Sequence, residues 1–170
     1  TALAYGTSQE VIGEFVQSFP DVETKLISKF EPGIRATSLV ENLSRICESL
    51  NTESLYAIMF HRFEDYLHYR DHSTEIQALK KSSLTLKIGV SVYSNEELST
   101  ISEDGICEIV QIPFNMLDNN SKRKDAILKA RNSGIEIHTR SAFFQGLFFI
   151  PPEKLDPQFS GIKPAIKQIQ

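Results

Sequence analysis

The alternation of strand and helix patterns constrains this chain more than any other feature of its sequence. Short apolar or β-branched runs alternate with segments whose apolar residues recur at helical spacing. The predicted strands are 22–27, 55–60, 86–93, 106–112 and 135–141, with a strand remnant at 1–6. Strict alternation of this kind implies a parallel sheet with right-handed crossover connections. The chain is therefore predicted to be an α/β protein.

The segments between the strands predict helices and two aromatic loops. The predicted helices are 8–16, 34–50, 73–83, 95–98 and 119–132, with a weakly helical tail at 162–170, and the loops are 62–72 and 142–150. Two architectures fit this order: a doubly wound open sheet, and an incomplete (β/α)8 barrel, whose full form needs about 250 residues. No G-x-G-x-x-G motif follows a predicted strand, so a Rossmann dinucleotide site has no support and the barrel is favoured.

Composition and charge exclude several classes of partner. The net charge of −4 argues against nucleic-acid binding, and the basic run 122–124 is interpreted as a solvated helix face. Because the sequence shows neither a signal peptide nor an apolar run of transmembrane length, we predict no membrane partner and a cytoplasmic protein.

Cys47 and Cys107 lack metal or disulfide spacing and are predicted to be buried free thiols. His68 and His72 have the spacing of a metal pair, but no third ligand is evident, so no metal is predicted.

Three chemically useful residues each stand where a short strand pattern stops. They are Tyr5, Lys25 and His61. The carboxyl ends of parallel strands meet on one face of a barrel, so these residues are expected to share one site. A free tyrosine has a pKa of about 10, and a neighbouring ammonium favours its phenolate. Each residue alone has an ordinary structural interpretation, but the three together suit proton delivery to a carbonyl oxygen.

Six segments resemble those of the aldo-keto reductase family, in the family's order and at its approximate spacing. They are Thr1-Ala2-Leu3-Ala4-Tyr5-Gly6, Thr24-Lys25, His61-Arg62, Ile88-Gly89-Val90-Ser91, Val110 to Asn115, and Arg140 to Gly146. The resemblance implies a (β/α)8 TIM barrel of which this chain covers about strand 2 to helix 7. It also implies that residues 1–170 form a single barrel domain, incomplete at both ends.

The resemblance also implies roles for individual residues. Tyr5 would be the general acid, supported by Lys25, and His61 would orient the substrate carbonyl. The family's fourth catalytic residue, an aspartate, would immediately precede Thr1. Ser91 and Gln111 would contact the nicotinamide carboxamide, and Ser141 would lie near the cofactor diphosphate. Arg140 stands where the family often stacks an aromatic ring on the nicotinamide.

The implied function is reduction of an aldehyde or ketone by an NAD(P)H-dependent oxidoreductase. NADPH is the predicted cofactor, with NADH as the alternative, and the partner is a small-molecule carbonyl substrate. The protein would be a monomer or a small homo-oligomer, and the loop at 62–72 would help to form the substrate pocket. Two alternatives stay open: a catalytically weak NADP(H)-binding barrel that acts as a sensor or regulatory subunit, and a (β/α)8 hydrolase or isomerase in which Tyr5, Lys25 and His61 coincide by chance.

Overall fold

The strands form one parallel sheet in sequential order. The computed structural model describes residues 1–35, 38–71 and 73–169. Its strands are β1 (Ile27–Lys29), β2 (Leu55–Phe60), β3 (Thr85–Ser91), β4 (Ile109–Pro113) and β5 (Glu136–Arg140). Each strand pairs with the next strand along the chain. A doubly wound sheet reverses its strand order at a switch point, so this order excludes it and matches the curled half of a (β/α)8 barrel.

Helices cover one face of the sheet. They are α1 (Ser8–Ser18), α2 (Leu39–Ser49), α3 (Phe63–Arg70), α4 (Ser73–Lys81), α5 (Asn95–Asp104), α6 (Asn120–Asn132) and α7 (Lys163–Ile169). Two of them begin at serine caps: Ser38 accepts the Glu41 N–H, and Ser94 forms a reciprocal capping box with Glu97. The main core lies between these helices and the sheet. It includes Leu43, Ile58, Tyr66, Ile88 and Val110.

The segment at 62–72 was predicted as a loop, but most of it forms helix α3. The sequence shows no clean helical period there because the helix buries polar and apolar side chains together, among them Asp65 and Tyr66. The Asp65 carboxylate accepts the Gly33 N–H at 2.8 Å and an N–H of the Arg35 guanidinium at 2.8 Å. These bonds tie the loop after β1 to the start of α3. His72 lies outside the described residues.

Several predicted boundaries are wrong at the start of the chain. The predicted strand remnant contains a 3-10 helix, Leu3–Tyr5, closed by a hydrogen bond from the Tyr5 N–H to the Ala2 carbonyl. The strand predicted at 22–27 is instead Ile27–Lys29. Residues 22–25 include the β-branched Val22 and Thr24 but are exposed, whereas Ser28 and Lys29 are buried. Burial, and not the β-branched run, therefore decides where this strand lies.

Other differences concern the later elements. The helix predicted at 34–50 begins at Leu39, and residues 36 and 37 lie outside the described part of the chain. The aromatic loop at 142–150 contains a kinked 3-10 segment, Phe144–Phe149, because Gln145 and Gly146 have left-handed backbone conformations. The weakly helical tail is confirmed as α7, Lys163–Ile169, and Gln170 lies outside the described residues.

Strands β3 and β4 approach each other closely at Gly89. A Cβ at this position would lie 2.4 Å from the backbone carbonyl oxygen of Ile109 and 2.5 Å from the Cγ2 atom of the same side chain. We expect Gly89→Ala to lower the free energy of unfolding of the intact protein by about 1–3 kcal/mol, because the two strands must move apart. Urea unfolding followed by circular dichroism measures this change. Gly161→Ala is the matched control, since its Cβ would meet nothing within 4 Å. Equal stability of the two variants would contradict the close approach.

A polar network joins β2, β3 and β5 near the amino-terminal ends of the strands. The Tyr56 hydroxyl donates to Glu136 Oε2 at 2.5 Å, and Lys87 Nζ contacts the same carboxylate oxygen. Lys87 also donates to the Tyr56 hydroxyl at 2.8 Å, and the His138 ring lies 2.6 Å from Glu136 Oε1. The hydrogen bonds from Lys87 and Tyr56 lower the pKa of Glu136 to about 2. The carboxylate form therefore stabilises the fold.

This network makes a prediction about acid stability. A carboxyl group whose pKa is lowered by folding contributes stability above its unfolded pKa of about 4.3, and this contribution is lost as the pH falls towards the folded value. We expect the melting temperature of the intact protein to fall between about pH 4.5 and pH 2, and to fall less steeply in Glu136→Gln. Thermal melts across this range measure the effect. Parallel pH profiles for the two proteins would show that Glu136 contributes nothing.

Candidate active site

Three side chains from separate segments meet at the carboxyl ends of the first two strands. Lys29 is the last residue of β1 and is only 5% exposed. Its ammonium nitrogen lies 5.4 Å from the centre of the Tyr5 ring. The Tyr5 ring in turn meets the His61 ring edge to face, with 5.8 Å between the ring centroids. Tyr5, Lys29 and His61 therefore form one cluster.

Lys25, the lysine predicted for this cluster, lies elsewhere. Its side chain is exposed, and its ammonium nitrogen lies 4.9 Å from the centre of the Tyr56 ring. Tyr56 is the second residue of β2 and His61 directly follows that strand, so the two are separated by about 16 Å of extended chain. The structure thus brings together Tyr5 and His61 but not Lys25. The missed signal was the short run Ile27-Ser28-Lys29, which also ends in a lysine.

Burial and neighbouring charges shape the protonation of the cluster. Burial lowers the pKa of Lys29, and the charge of Arg140 lowers it further. Burial also lowers the pKa of His61, with the Lys29 ammonium as the next cause, so the imidazole is neutral at neutral pH. His61 Nδ1 is buried and has no hydrogen-bond partner among the described residues. A neutral imidazole donates one N–H, which is the group needed to bind a carbonyl oxygen.

Ser91 and Gln111 lie side by side next to this cluster. They are register partners across β3 and β4, and the Val92 N–H donates to the Gln111 carbonyl at 2.9 Å. Phe60 pairs with Val90, so His61 and Ser91 both lie at the ends of neighbouring strands. The two side chains together offer hydroxyl and amide groups that match a ligand carboxamide.

Arg140 and Ser141 lie at the end of β5. The Arg140 guanidinium carbon lies 4.1 Å above the centre of the Tyr93 ring, and its Nη1 lies 3.4 Å from the Ser141 hydroxyl. Ser141 is exposed and has a left-handed backbone, with φ of 58°. It opens onto a cleft of about 370 Å³. The other residues that line this cleft are Phe144, Gln145, Leu147, Ile150 and Phe159.

Arg123, one residue of the basic run 122–124, is buried and fixes the loop after β3. Arg123, predicted as part of a solvated basic face, is 7% exposed. Its guanidinium forms an ion pair with Asp118 and donates to the Tyr93 carbonyl at 2.9 Å. It also donates to the Asn95 side chain at 3.3 Å. The prediction was wrong for Arg123 because helix α6 turns this one basic residue towards the ends of β3 and β4.

The remaining predicted features are simpler to place. Cys47 and Cys107 are buried free thiols, as predicted. Within residues 1–35, 38–71 and 73–169, no group of three or more histidine, cysteine or acidic side chains is arranged to hold a metal ion. In the same part of the chain, every helix is too short or too polar to cross a membrane.

Comparisons with known proteins agree with this architecture. The model of the aldo/keto reductase family matches residues 1–161. The glycerol dehydrogenase of Gluconobacter oxydans has a similar structure, with a TM-score of 0.70 at 20% identity over 92% of this chain and 51% of its own. The aldo-keto reductase of Bacillus halodurans, solved in its holo form, has a TM-score of 0.67 at 15% identity over 86% of this chain and 53% of its own. A search of curated proteins finds no match.

A third structure is the aldo/keto reductase of Klebsiella pneumoniae, solved in complex with NADP and acetate. Its TM-score is 0.68 at 14% identity, over 92% of this chain and 56% of its own. At these identities the structures show a shared fold, and this chain spans only 51% to 56% of the three proteins named here. The match to the family model covers nearly the whole chain, and the parallel strands follow the order of a (β/α)8 barrel. The chain therefore belongs to the aldo-keto reductase family.

Proposed function

We propose that this chain carries the catalytic cluster of an NADP(H)-dependent oxidoreductase that reduces an aldehyde or ketone to an alcohol. The observation that carries the proposal is the meeting of Tyr5, Lys29 and His61 at the carboxyl ends of β1 and β2. Enzymes with this barrel place their chemistry at that end of the strands. Membership of the family supports the same reaction class.

Each member of the cluster has one role in this proposal. Tyr5 is half exposed, at 52%, so a substrate can reach its hydroxyl, which donates the proton to the carbonyl oxygen. Lys29 takes the role first given to Lys25, because its buried ammonium lies beside the Tyr5 ring. Its positive charge favours the phenolate that remains after proton transfer. His61, neutral at neutral pH, donates an N–H to the same carbonyl oxygen and orients the substrate.

The neighbouring residues fit a nicotinamide cofactor. The adjacent side chains of Ser91 and Gln111 would hold the carboxamide, and the cleft beside Ser141 would take the diphosphate. Arg140 lies at the end of β5 next to this cleft. NADPH is the proposed cofactor, in line with the NADP complex of the Klebsiella pneumoniae structure. When bound, this cofactor supplies the hydride, and the protein supplies position and electrostatics.

The proposal is tested by mixing the intact protein with NADPH and a panel of aldehydes and ketones. We expect NADPH absorbance to fall only when a carbonyl compound is present. Binding of NADPH, followed by its fluorescence, is measured in parallel. Binding without turnover of any carbonyl would favour a regulatory NADP(H)-binding barrel. Turnover of an ester or phosphate without NADPH would favour a hydrolase or isomerase.

A further inference from the structure

Asp65 is a buried carboxylate that joins two segments next to the candidate site. It is 2% exposed and lies in the first turn of α3. Its Oδ2 accepts the Gly33 N–H at 2.8 Å, and its Oδ1 accepts an N–H of the Arg35 guanidinium at 2.8 Å. Gly33 lies four residues after Lys29, and Asp65 lies four residues after His61. One carboxylate therefore joins the segment that follows the lysine of the cluster to the segment that follows its histidine.

Strand pairing alone gives this part of the site little support. Strand β1 has three residues, and its last residue, Lys29, pairs with Met59 of β2. The Phe30 N–H adds one more bond, to the Met59 carbonyl at 2.9 Å. His61 follows β2 and directly precedes the N-cap of α3. The bonds of Asp65 therefore extend the connection between the two segments beyond this ladder.

Stability by itself does not account for a carboxylate at this position. The Arg35 side chain is 53% exposed, so water screens much of its attraction for Asp65. Taking a carboxylate out of water is costly, and a buried ion pair is often no more stabilising than apolar side chains of similar volume. The carboxylate instead provides direction, because its two oxygens each hold one donor of the same loop. Such a directional hold suits a role in placing nearby groups.

Asp65 also opposes the positive charge around His61. Burial is the main cause that lowers the pKa of His61, and the Tyr5 ring lies edge to face against the imidazole. Three cations lower this pKa further: Lys29, Arg62 and Arg140. The Asp65 carboxylate acts in the opposite direction and raises the pKa. Asp65 therefore acts on the site through its charge as well as through its hydrogen bonds.

We propose that Asp65 is a positioning residue of the active site. Its carboxylate holds the loop after Lys29 against the start of α3, and this contact sets where Lys29 and His61 lie relative to the Tyr5 ring. The inference rests on the proposed function, because these three side chains are the groups proposed to act on the carbonyl. A small displacement of such groups has a large effect, since a misplacement of about 1 Å can lower a rate by about 100-fold.

The experiment compares Asp65→Ala with Glu75→Ala in the intact protein. The Glu75 carboxylate makes a bond of the same kind, to the Leu39 N–H at 2.8 Å, but it joins α4 to α2. We expect both variants to melt at a lower temperature, because each removes the carboxylate acceptor of a backbone N–H. We expect kcat for carbonyl reduction to fall by about 30- to 100-fold in Asp65→Ala and by less than about threefold in Glu75→Ala. The Kd for NADPH should change by less than about twofold in both variants.

A second variant and a second readout make the test independent of folding and of turnover. Asp65→Asn has nearly the same shape, and its amide oxygen can still accept the Gly33 N–H, but it lacks the charge. We expect the pKa of His61, followed by NMR of the imidazole, to fall in Asp65→Asn because the carboxylate that raises it is gone. The same titration should be unchanged in Glu75→Gln. The kcat of Asp65→Asn should lie between those of the wild type and Asp65→Ala.

Two results would overturn the proposal. Equal losses of kcat in Asp65→Ala and Glu75→Ala would show that Asp65 contributes to folding alone. The same pKa of His61 in the wild type and in Asp65→Asn would show that the carboxylate does not act on this side chain. A wild type that reduces no carbonyl would reject the proposed function, and the His61 titration would still decide whether Asp65 acts on the imidazole.

Discussion

Replacing Lys29 by Met is expected to lower kcat for carbonyl reduction by at least about 100-fold, the usual loss when a preorganised charge is removed from an active site. Lys29 is 5% exposed, and its ammonium lies 5.4 Å from the centre of the Tyr5 ring. A methionine keeps most of the side-chain volume and removes the charge. The position stays packed while the phenolate of the proposed proton donor loses its neighbouring cation.

Lys25→Met is the matched control for this variant. Lys25 is exposed and its ammonium faces Tyr56, a contact of the kind worth about 0.5–1 kcal/mol at a surface. We expect its removal to change kcat by less than about threefold, since the reacting groups lie at the other end of β2. Steady-state NADPH oxidation with one aldehyde compares the two variants directly. If Lys25→Met were the inactive protein and Lys29→Met the active one, the assignment of the lysine would be wrong.

Tyr5→Phe is expected to lower kcat by about 10²- to 10⁴-fold, the usual contribution of a positioned general acid. The change removes one hydroxyl and keeps the ring. The contacts of that ring with His61 and with the Lys29 ammonium are then preserved, and the site should keep its shape. The loss should appear in kcat, because proton donation acts in the transition state, while the Kd for NADPH should stay within about twofold.

Two measurements test this prediction together. Steady-state turnover with a saturating aldehyde gives kcat, and titration of NADPH fluorescence gives the cofactor Kd. Tyr93→Phe is the comparison variant, since Tyr93 is also an exposed tyrosine near the strand ends, and the proposal gives its hydroxyl no role in proton donation. A Tyr5→Phe protein that binds NADPH normally and keeps its wild-type kcat would exclude Tyr5 as the proton donor.

The order of strands could be predicted from the sequence because each central strand is a short apolar run bounded by polar segments. The run 55–60 is buried on both faces, and helix and strand periods alternate cleanly on either side of it. That alternation, with the missing glycine-rich motif, was enough to favour a barrel over a Rossmann-type sheet. The sequential pairing of the strands confirms the preference for the barrel.

Helix α3 could not be predicted because its pattern depends on tertiary contacts. Asp65 is 2% exposed, yet it is one of the residues that the helix turns inward. Its carboxylate is satisfied by the Gly33 N–H and the Arg35 guanidinium, both of which lie on another loop. Hydrophobic periodicity cannot detect a buried carboxylate of this kind. The aromatic and charged composition of the segment therefore suggested a loop.

The structure brings together the three residue types that were predicted to meet at the strand ends, but with a different lysine. The sequence indicated that a tyrosine, a lysine and a histidine meet at the ends of strands, and the structure brings Tyr5 and His61 together. The β-branched residues Val22 and Thr24 led to a predicted first strand that begins too early in the chain. Lys25 lies in that predicted strand, and for this reason it was predicted to be the lysine of the cluster. Strand β1 has only three residues, and two of them, Ser28 and Lys29, are polar. Only the paired structure shows that these polar residues are buried and that Lys29 lies beside Tyr5.

The central claim is that the ammonium of Lys29 supports proton donation by Tyr5, and chemical rescue tests it most directly. The measurement is NADPH oxidation by the intact Lys29→Ala protein as the concentration of ethylammonium is raised. The truncated side chain leaves room beside Tyr5 for a small cation. We expect Lys29→Ala to be nearly inactive alone and to regain turnover in proportion to ethylammonium, whereas Lys25→Ala should be active and indifferent to it. Wild-type turnover by Lys29→Ala without any amine would contradict the claim.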